Sequence, residues 1–159
     1  MLKLPHAPKK LYLAVSVSYK YDLPNLLEFV EYHRMVGVQR IYLCNNDEDP
    51  APTLEILKPY IESGLVVHNH TASMWPGIRN RQASAHNFVL GLARTDGVRW
   101  LSMLDMDEFL YPVTKDSVTE VLMGYEDVGA IQVNYACFGS SQHTKKQMLQ
   151  RLLKNRARR

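Results

Sequence analysis

The chain has 159 residues and a net charge of +3, with 46% hydrophobic and 22% charged residues. This composition is typical of a globular domain and excludes a low-complexity or disordered chain. No apolar run approaches the length of a membrane span, and residues 1–10 lack the apolar stretch of a signal peptide. Cys44 and Cys137 each lie in or beside an apolar run, so we expect two buried thiols and no disulfide framework.

The first half of the chain alternates between strand and helix patterns. Residues 11–18 alternate apolar and small side chains, which predicts a strand. An apolar stripe then predicts a helix that begins after Asp22, has Pro24 in its first turn and ends at Gly37. Further along we expect a strand over 40–44, a helix over 53–62 that Gly64 closes, and a strand over 65–70.

The second half of the chain continues the same alternation. Residues 71–80 are predicted to form a loop, 81–94 a helix and 100–104 a fourth strand. A short helix is expected within 113–129 and a fifth strand over 130–139. This order predicts an α/β fold with right-handed crossovers, a mostly parallel sheet and helices on both faces.

Polar clusters follow several of these strands, at the sheet edge where parallel α/β folds bind their ligands. They are SYKYD (18–22), NNDED (45–49), DMDEF (105–109) and FGSSQH (138–143). Neither of the two common phosphate-binding glycine loops occurs. Gly139 and the two serines after it suit an approach to phosphate, although a plain turn explains them equally well.

The acidic cluster after the fourth strand offers a candidate metal site. In an extended backbone Asp105 and Asp107 would point to the same side, whereas Glu108 would point away. Two adjacent carboxylates repel each other unless a cation lies between them, and oxygen ligands suit Mg²⁺ or Mn²⁺. Such an ion usually also binds phosphate oxygens, which points to a diphosphate ligand. The alternative is a loop of solvated acids, one of which caps the next turn.

Other polar residues allow both a functional and a structural interpretation. Residues 45–49 could accept hydrogen bonds from a ribose or base, or could simply form a turn and a helix cap. His68 and His70 share a strand face without an evident third ligand, so we interpret them as a polar strand end. His33 is expected to pack in its helix. His143 could serve as a third metal ligand or as a proton donor.

Five segments together resemble glycosyltransferase family 92 and its bacterial relatives in the family 2-like group. The most diagnostic are LLEFVEYHRMVGVQRIYL, LDMDEFL and FGSSQH, and the helix RQASAHN and the strand IQVNYACFG add to them. The resemblance implies a GT-A fold, a UDP-sugar donor and a Mn²⁺ or Mg²⁺ ion.

The resemblance also implies roles for particular residues. Asp105 and Asp107 would hold the ion and the diphosphate, and the family's Phe-Gly-Ser-Ser-Gly-His element matches residues 138–143. Nucleoside contacts would come from Asn45, Asn46 and Asp47, and Gln82 matches the family's glutamine in the third helix.

Three positions and the length of the chain depart from the family pattern. Tyr21 and Asp22 replace the Asn-Glu of a Lys-Asn-Glu motif, and Gln142 replaces a glycine. Related domains continue for roughly another half-domain beyond this C-terminus. We therefore expect a truncated domain that lacks most acceptor contacts, and we assign no catalytic residue. The predicted organisation is an extension (1–10), a nucleotide-sugar-binding domain (11–144) and a basic tail (145–159).

The leading prediction is a metal-dependent glycosyltransferase that moves a sugar, with galactose among the candidates, from a UDP-sugar to a glycan or other hydroxyl acceptor. One alternative is a nucleotide-sugar-binding fragment without turnover. Another is an adaptor that contacts nucleic acid or a membrane surface through the basic tail. The leading prediction includes no nucleic-acid partner. A bacterial-type relative would be cytoplasmic, whereas an N-terminal anchor would indicate the Golgi.

Overall fold

A four-stranded parallel sheet forms the centre of the fold. The computed structural model describes residues 11–74 and 81–138. The strands are β1 (Leu13–Tyr19), β2 (Arg40–Asn45), β3 (Val66–His70) and β4 (Trp100–Leu104). They lie in the order β3-β2-β1-β4, and every pair of neighbours is parallel. The predicted α/β class is confirmed, and the arrangement is consistent with a Rossmann-like GT-A fold.

Within the residues described, five helices connect or follow the strands. They are α1 (Leu23–Met35), α2 (Ala51–Glu62), α3 (Thr71–Met74), α4 (Arg81–Thr95) and α5 (Val118–Leu122), and a 3-10 turn (Met123–Tyr125) follows α5. The loop predicted over 71–80 is wrong for its first four residues, which form α3. The hydroxyl of Thr71, the buried first residue of α3, donates to the Asn45 carbonyl oxygen at 3.0 Å and so connects α3 to the end of β2. None of the helices described is long and apolar enough to cross a membrane.

Alternate residues of β1 pack against helices on opposite faces of the sheet. One face forms a core of β1 and β2 side chains with residues of α1 and α2, namely Leu13, Val15, Val17, Ile41, Leu43, Leu26, Phe29, Val30 and Leu57. On the other face, the β1 and β2 residues Ala14, Tyr42 and Cys44 pack against Ala85, Val89 and Ala93 of α4. The predicted helices on both faces are confirmed.

The strand order creates a switch point between β1 and β4. The chain builds β1, β2 and β3 outward in one direction, with α1 and α2 on one face, and then returns through α4 on the other face to place β4 beside β1. In α/β folds of this kind, ligands bind at the carboxyl ends of the two neighbouring strands whose connections leave on opposite faces, here β1 and β4. Candidate ligand-binding residues are therefore those that follow β1 and β4.

The predicted fifth strand is wrong for the residues described, because 130–138 form no regular secondary structure. The apolar alternation there has the period of a strand, but no strand described in the structure pairs with it. Val133 and Tyr135 are 65% and 72% exposed, so they lack the apolar neighbours that a buried strand requires. Cys137 is likewise exposed, contrary to expectation, whereas Cys44 is buried as predicted.

Candidate functional site

The carboxyl ends of the strands bring the predicted polar residues to one edge of the sheet. The register aligns Tyr19 of β1 with Asn45 of β2, and Asn45 with His70 of β3. On the other side of β1, Leu104 at the end of β4 aligns with Val17. The turns after β1, β2 and β4 therefore leave the sheet close together, as the sequence predicted.

Asn45 shapes the turn that follows β2. Its side chain is fully buried, and its Oδ1 accepts a hydrogen bond from the Asp47 backbone N–H at 2.7 Å. Its amide nitrogen donates to His68 Nε2 at 3.3 Å. The Asn45 side chain thus bonds to its own turn and to β3, as the turn interpretation of this segment predicted.

Asn46 and Asp47 link this turn to the loop after β1. Asn46 donates to Ser18 Oγ at 2.9 Å and accepts from the Thr71 hydroxyl at 2.9 Å. Asp47 Oδ1 accepts from the Tyr21 backbone N–H at 2.7 Å. Tyr21 has a φ of +55°, a left-handed conformation that is costly for a bulky non-glycine residue. The two loops therefore form one bonded unit that holds a strained residue at the site.

His68 and His70 are engaged by protein groups. His70 Nε2 donates to the Asp47 carbonyl oxygen at 2.8 Å, and His68 Nε2 accepts from Asn45. Burial lowers the pKa of His68, and the neighbouring His70 lowers it further, which favours the neutral imidazole. Residues 11–74 and 81–138 contain no group of three His, Cys, Asp or Glu side chains that could hold a metal ion.

The acidic cluster after β4 forms a tight turn instead of the extended backbone that we predicted. The Glu108 N–H donates to the Asp105 carbonyl oxygen at 3.1 Å, and Glu108 Oε2 accepts from the Asp105 N–H at 3.0 Å. Glu108 also accepts from the Tyr135 hydroxyl. Met106 is buried, whereas Asp105 and Asp107 are exposed, so both aspartates remain available to solvent. We call residues 105–108 the acidic turn.

Helix α4 places two polar side chains beside the acidic turn. Gln82 Nε2 donates to Asp105 Oδ1 at 2.5 Å, so the glutamine assigned only from the family resemblance contacts one of the candidate metal ligands. His86, one helical turn later, shares a hydrogen bond of 2.9 Å with Ser16 Oγ. Burial lowers the pKa of His86, and the charge of Asp105 partly opposes this shift. The sequence indicated His86 as a further candidate, because it lies four residues after Gln82 and residues four apart share a helix face.

Helix α1 holds the chain immediately after the acidic turn. The Tyr32 hydroxyl donates to the Leu110 carbonyl oxygen at 3.0 Å, and His33 Nε2 lies 3.5 Å from the Leu110 nitrogen. Phe109 stacks on His33 at 5.6 Å and meets Tyr32 edge-on at 5.0 Å. His33 is fully buried, as expected, and its Nδ1 donates to the Phe29 carbonyl oxygen at 2.8 Å. Local sequence patterns gave no sign that Tyr32 contacts the segment after the acidic turn.

Some predicted features fall outside the part of the chain that the structure describes. They include His143 and all of the FGSSQH element except Phe138, together with the extension (1–10) and the basic tail (145–159). Phe138 itself is 76% exposed.

The fold is that of an α/β protein with polar side chains gathered at the switch point of a parallel sheet. The sequence model of glycosyltransferase family 92 matches residues 9–159, which is nearly the whole chain. The chain therefore belongs to glycosyltransferase family 92.

Curated relatives agree with this assignment. A glycosyltransferase family 92 protein of Oryza sativa subsp. japonica is 29% identical over 76% of this chain and 20% of its own length. A family 92 protein of Ricinus communis is 34% identical over 54% of this chain and 14% of its own length. The galactan beta-1,4-galactosyltransferase GALS2 of Arabidopsis thaliana is 27% identical over 74% of this chain and 23% of its own length. This chain thus spans about a fifth of their length, and no solved structure matches it.

Proposed function

We propose that this chain binds the donor of a metal-dependent glycosyltransferase, and that the donor is a UDP-sugar. The observation that carries the proposal is the position of Asp105 and Asp107. Both are exposed at the carboxyl end of β4, beside the switch point, and Gln82 holds Asp105 from the facing helix. Family membership supports the reaction class, and the name of the galactan galactosyltransferase relative makes galactose a candidate sugar.

The donor atoms of the acidic turn fit a hard divalent ion. Asp105 and Asp107 offer exposed carboxylate oxygens, the ligands that Mn²⁺ and Mg²⁺ prefer, and such ions often take only one or two carboxylates beside phosphate and water. A bound ion supplies positive charge to stabilise the leaving nucleoside diphosphate. Within this chain, the Gln82 amide orients Asp105, and Glu108 bonds to its backbone N–H. His143 as a further ligand remains a prediction.

The nucleoside would lie beside the turn after β2. Asn45 and Asn46 bond mainly within the protein, so in this proposal they fix the shape of the turn. Asp47 is 9% exposed, and its Oδ1 accepts from the Tyr21 N–H, which leaves its second carboxylate oxygen for a ligand. A carboxylate at that position can accept from a ribose hydroxyl, which is the role that the family resemblance implied. The acceptor would be a glycan or another hydroxyl compound.

Calorimetric titration of the chain with UDP tests the proposal directly. We expect binding in Mn²⁺ that disappears in chelator and weakens about ten-fold or more in Asp107→Ala, because a charged ligand group is lost. Asp127→Ala is the matched control, since it removes an exposed carboxylate next to Glu126, which bonds to Arg99 at the opposite edge of the sheet. Equal binding by wild type and Asp107→Ala, or no UDP binding by the folded chain, would contradict the proposal.

Incubation with labelled UDP-galactose and candidate acceptors then separates transfer from binding alone. A radiolabelled product that requires Mn²⁺ and Asp107 would support the enzyme. Metal-dependent UDP binding with no transfer to any acceptor would instead favour a binding module without turnover.

A further inference from the structure

Two anchors that pack in the core, Met106 and Phe109, lie on either side of Asp107 in the chain. On one side of Asp107, Met106 is 7% exposed and belongs to the core that α1 and α2 form with the sheet. On the other side, Phe109 packs against three rings of α1, those of Phe29, Tyr32 and His33. Asp107 therefore lies between these two packed residues, and Asp105 lies between Met106 and the buried Leu104, so each exposed aspartate has packed residues on both sides in the chain.

The second anchor acts on the backbone as well as on side chains. The Leu110 carbonyl oxygen accepts from the Tyr32 hydroxyl, and the Leu110 nitrogen faces His33 Nε2. The backbone C=O and N–H of Leu110 are thus bonded to Tyr32 and His33, two adjacent residues of α1. Rings alone could pack in several ways, but a hydrogen bond to each backbone group fixes the position and direction of the chain.

We propose that Tyr32 and His33 are positioning residues, which set the orientation of the acidic turn for metal and diphosphate binding. This inference rests on the proposed function. Neither residue needs to touch the ligand, because Leu110 lies only three positions after Asp107 and a shift of its backbone would reorient both carboxylates. Carboxylates that must share one ion are sensitive to such shifts, since coordination distances are short and well defined.

The buried environment explains how a histidine can serve in this position. His33 is fully buried, and burial lowers its pKa to about 4, so the ring is neutral at ordinary pH. In that state Nδ1–H donates to Phe29 and Nε2 is free to face the Leu110 N–H. The neutral ring can therefore connect a turn of α1 to the segment after the acidic turn.

Tyr32→Phe is the critical variant, because it removes one hydroxyl and keeps the ring that packs on Phe109. Tyr60→Phe is its matched control, since the hydroxyl of Tyr60, a residue of α2, donates to Glu31 of α1 at 2.6 Å and not to the segment after the acidic turn. The experiment measures UDP affinity by calorimetry in Mn²⁺ and in chelator at a temperature well below unfolding, and the melting temperature of each protein. Hydrogen exchange of the amides of residues 105–110, without ligand, provides a second measurement.

We expect Tyr32→Phe to weaken Mn²⁺-dependent UDP binding about five-fold and to speed amide exchange in 105–110, while Tyr60→Phe leaves both unchanged. A merely structural role would lower the melting temperature of both variants and leave both affinities equal to wild type, which would overturn the proposal. Wild-type protein that fails to bind UDP would overturn the proposed function itself, and the positioning role with it. Wild-type binding with an unchanged Tyr32→Phe affinity would remove the positioning role alone.

Discussion

Protonation of His33 should destabilise the fold in mildly acidic solution. The imidazole is fully buried, packs among Phe29, Tyr32 and Phe109, and uses both nitrogens in contacts with backbone groups. Burial lowers its pKa from 6.5 to about 4, against the weaker opposing effect of the hydrogen bond to Phe29. A proton on Nε2 would also point at the Leu110 N–H, where the neutral ring offers a lone pair.

The size of the effect follows from the difference between the two pKa values. The unfolded chain takes up the His33 proton as pH falls through about 6.5, and the folded chain does so only near 4. The contribution of His33 to stability is therefore complete at pH values above the pKa of the unfolded chain. It declines as the pH falls toward the pKa of the folded chain. Between pH 7 and pH 4.5 the loss is about 2.5 kcal/mol, at about 1.4 kcal/mol for each unit of separation.

Urea unfolding at a series of pH values measures this loss, with His33→Gln as the control. The pKa of His68 and of His86 is also lowered by burial, so these residues add a pH dependence of the same sign to both proteins. The difference between the two profiles isolates His33. We expect the wild-type profile to fall more steeply by about 2 kcal/mol over this range. Parallel profiles would refute the assignment of a buried neutral imidazole.

Two backbone predictions can be checked by the same unfolding assay. Gly37→Ala should cost about 2 kcal/mol or more, because Gly37 has a φ of +101° and an added Cβ would lie 2.9 Å from Thr119 Oγ1. Gly64→Ala, at a φ of +77° and with no atom near the added Cβ, should cost only about 1 kcal/mol. An equal loss of stability in the two variants would show that the contact with Thr119 adds no cost. Tyr21→Asn should stabilise the chain by up to about 1 kcal/mol, since asparagine tolerates the left-handed conformation better than tyrosine. A lower free energy of unfolding in Tyr21→Asn would show that the exposed ring contributes more than the strain costs.

The candidate site was only partly predictable. Placement of the acids after β4 and of Asn45 after β2 followed from strand periodicity and from the rule that ligands bind at carboxyl ends. The family resemblance named Gln82, and its bond to Asp105 agrees with a place in the site. The contact between Tyr32 and Leu110 joins residues 78 positions apart, and no local pattern encodes a partner at that separation.

The sequence by itself determined the elements whose cause is local. Alternating side chains specified β1, short apolar runs specified the other three strands, and Pro24 and Gly37 bounded α1. The order of strands and helices implied a parallel sheet. Tertiary structure decided what depends on a partner. Residues 130–138 have the alternation of a strand but no strand to pair with among those described, and the acidic turn closes through Glu108 instead of extending. Hydrogen bonds and packing between distant segments decided both features. The periodicity of a sequence predicts which face of an element is apolar, but it does not identify the segment that packs against that face.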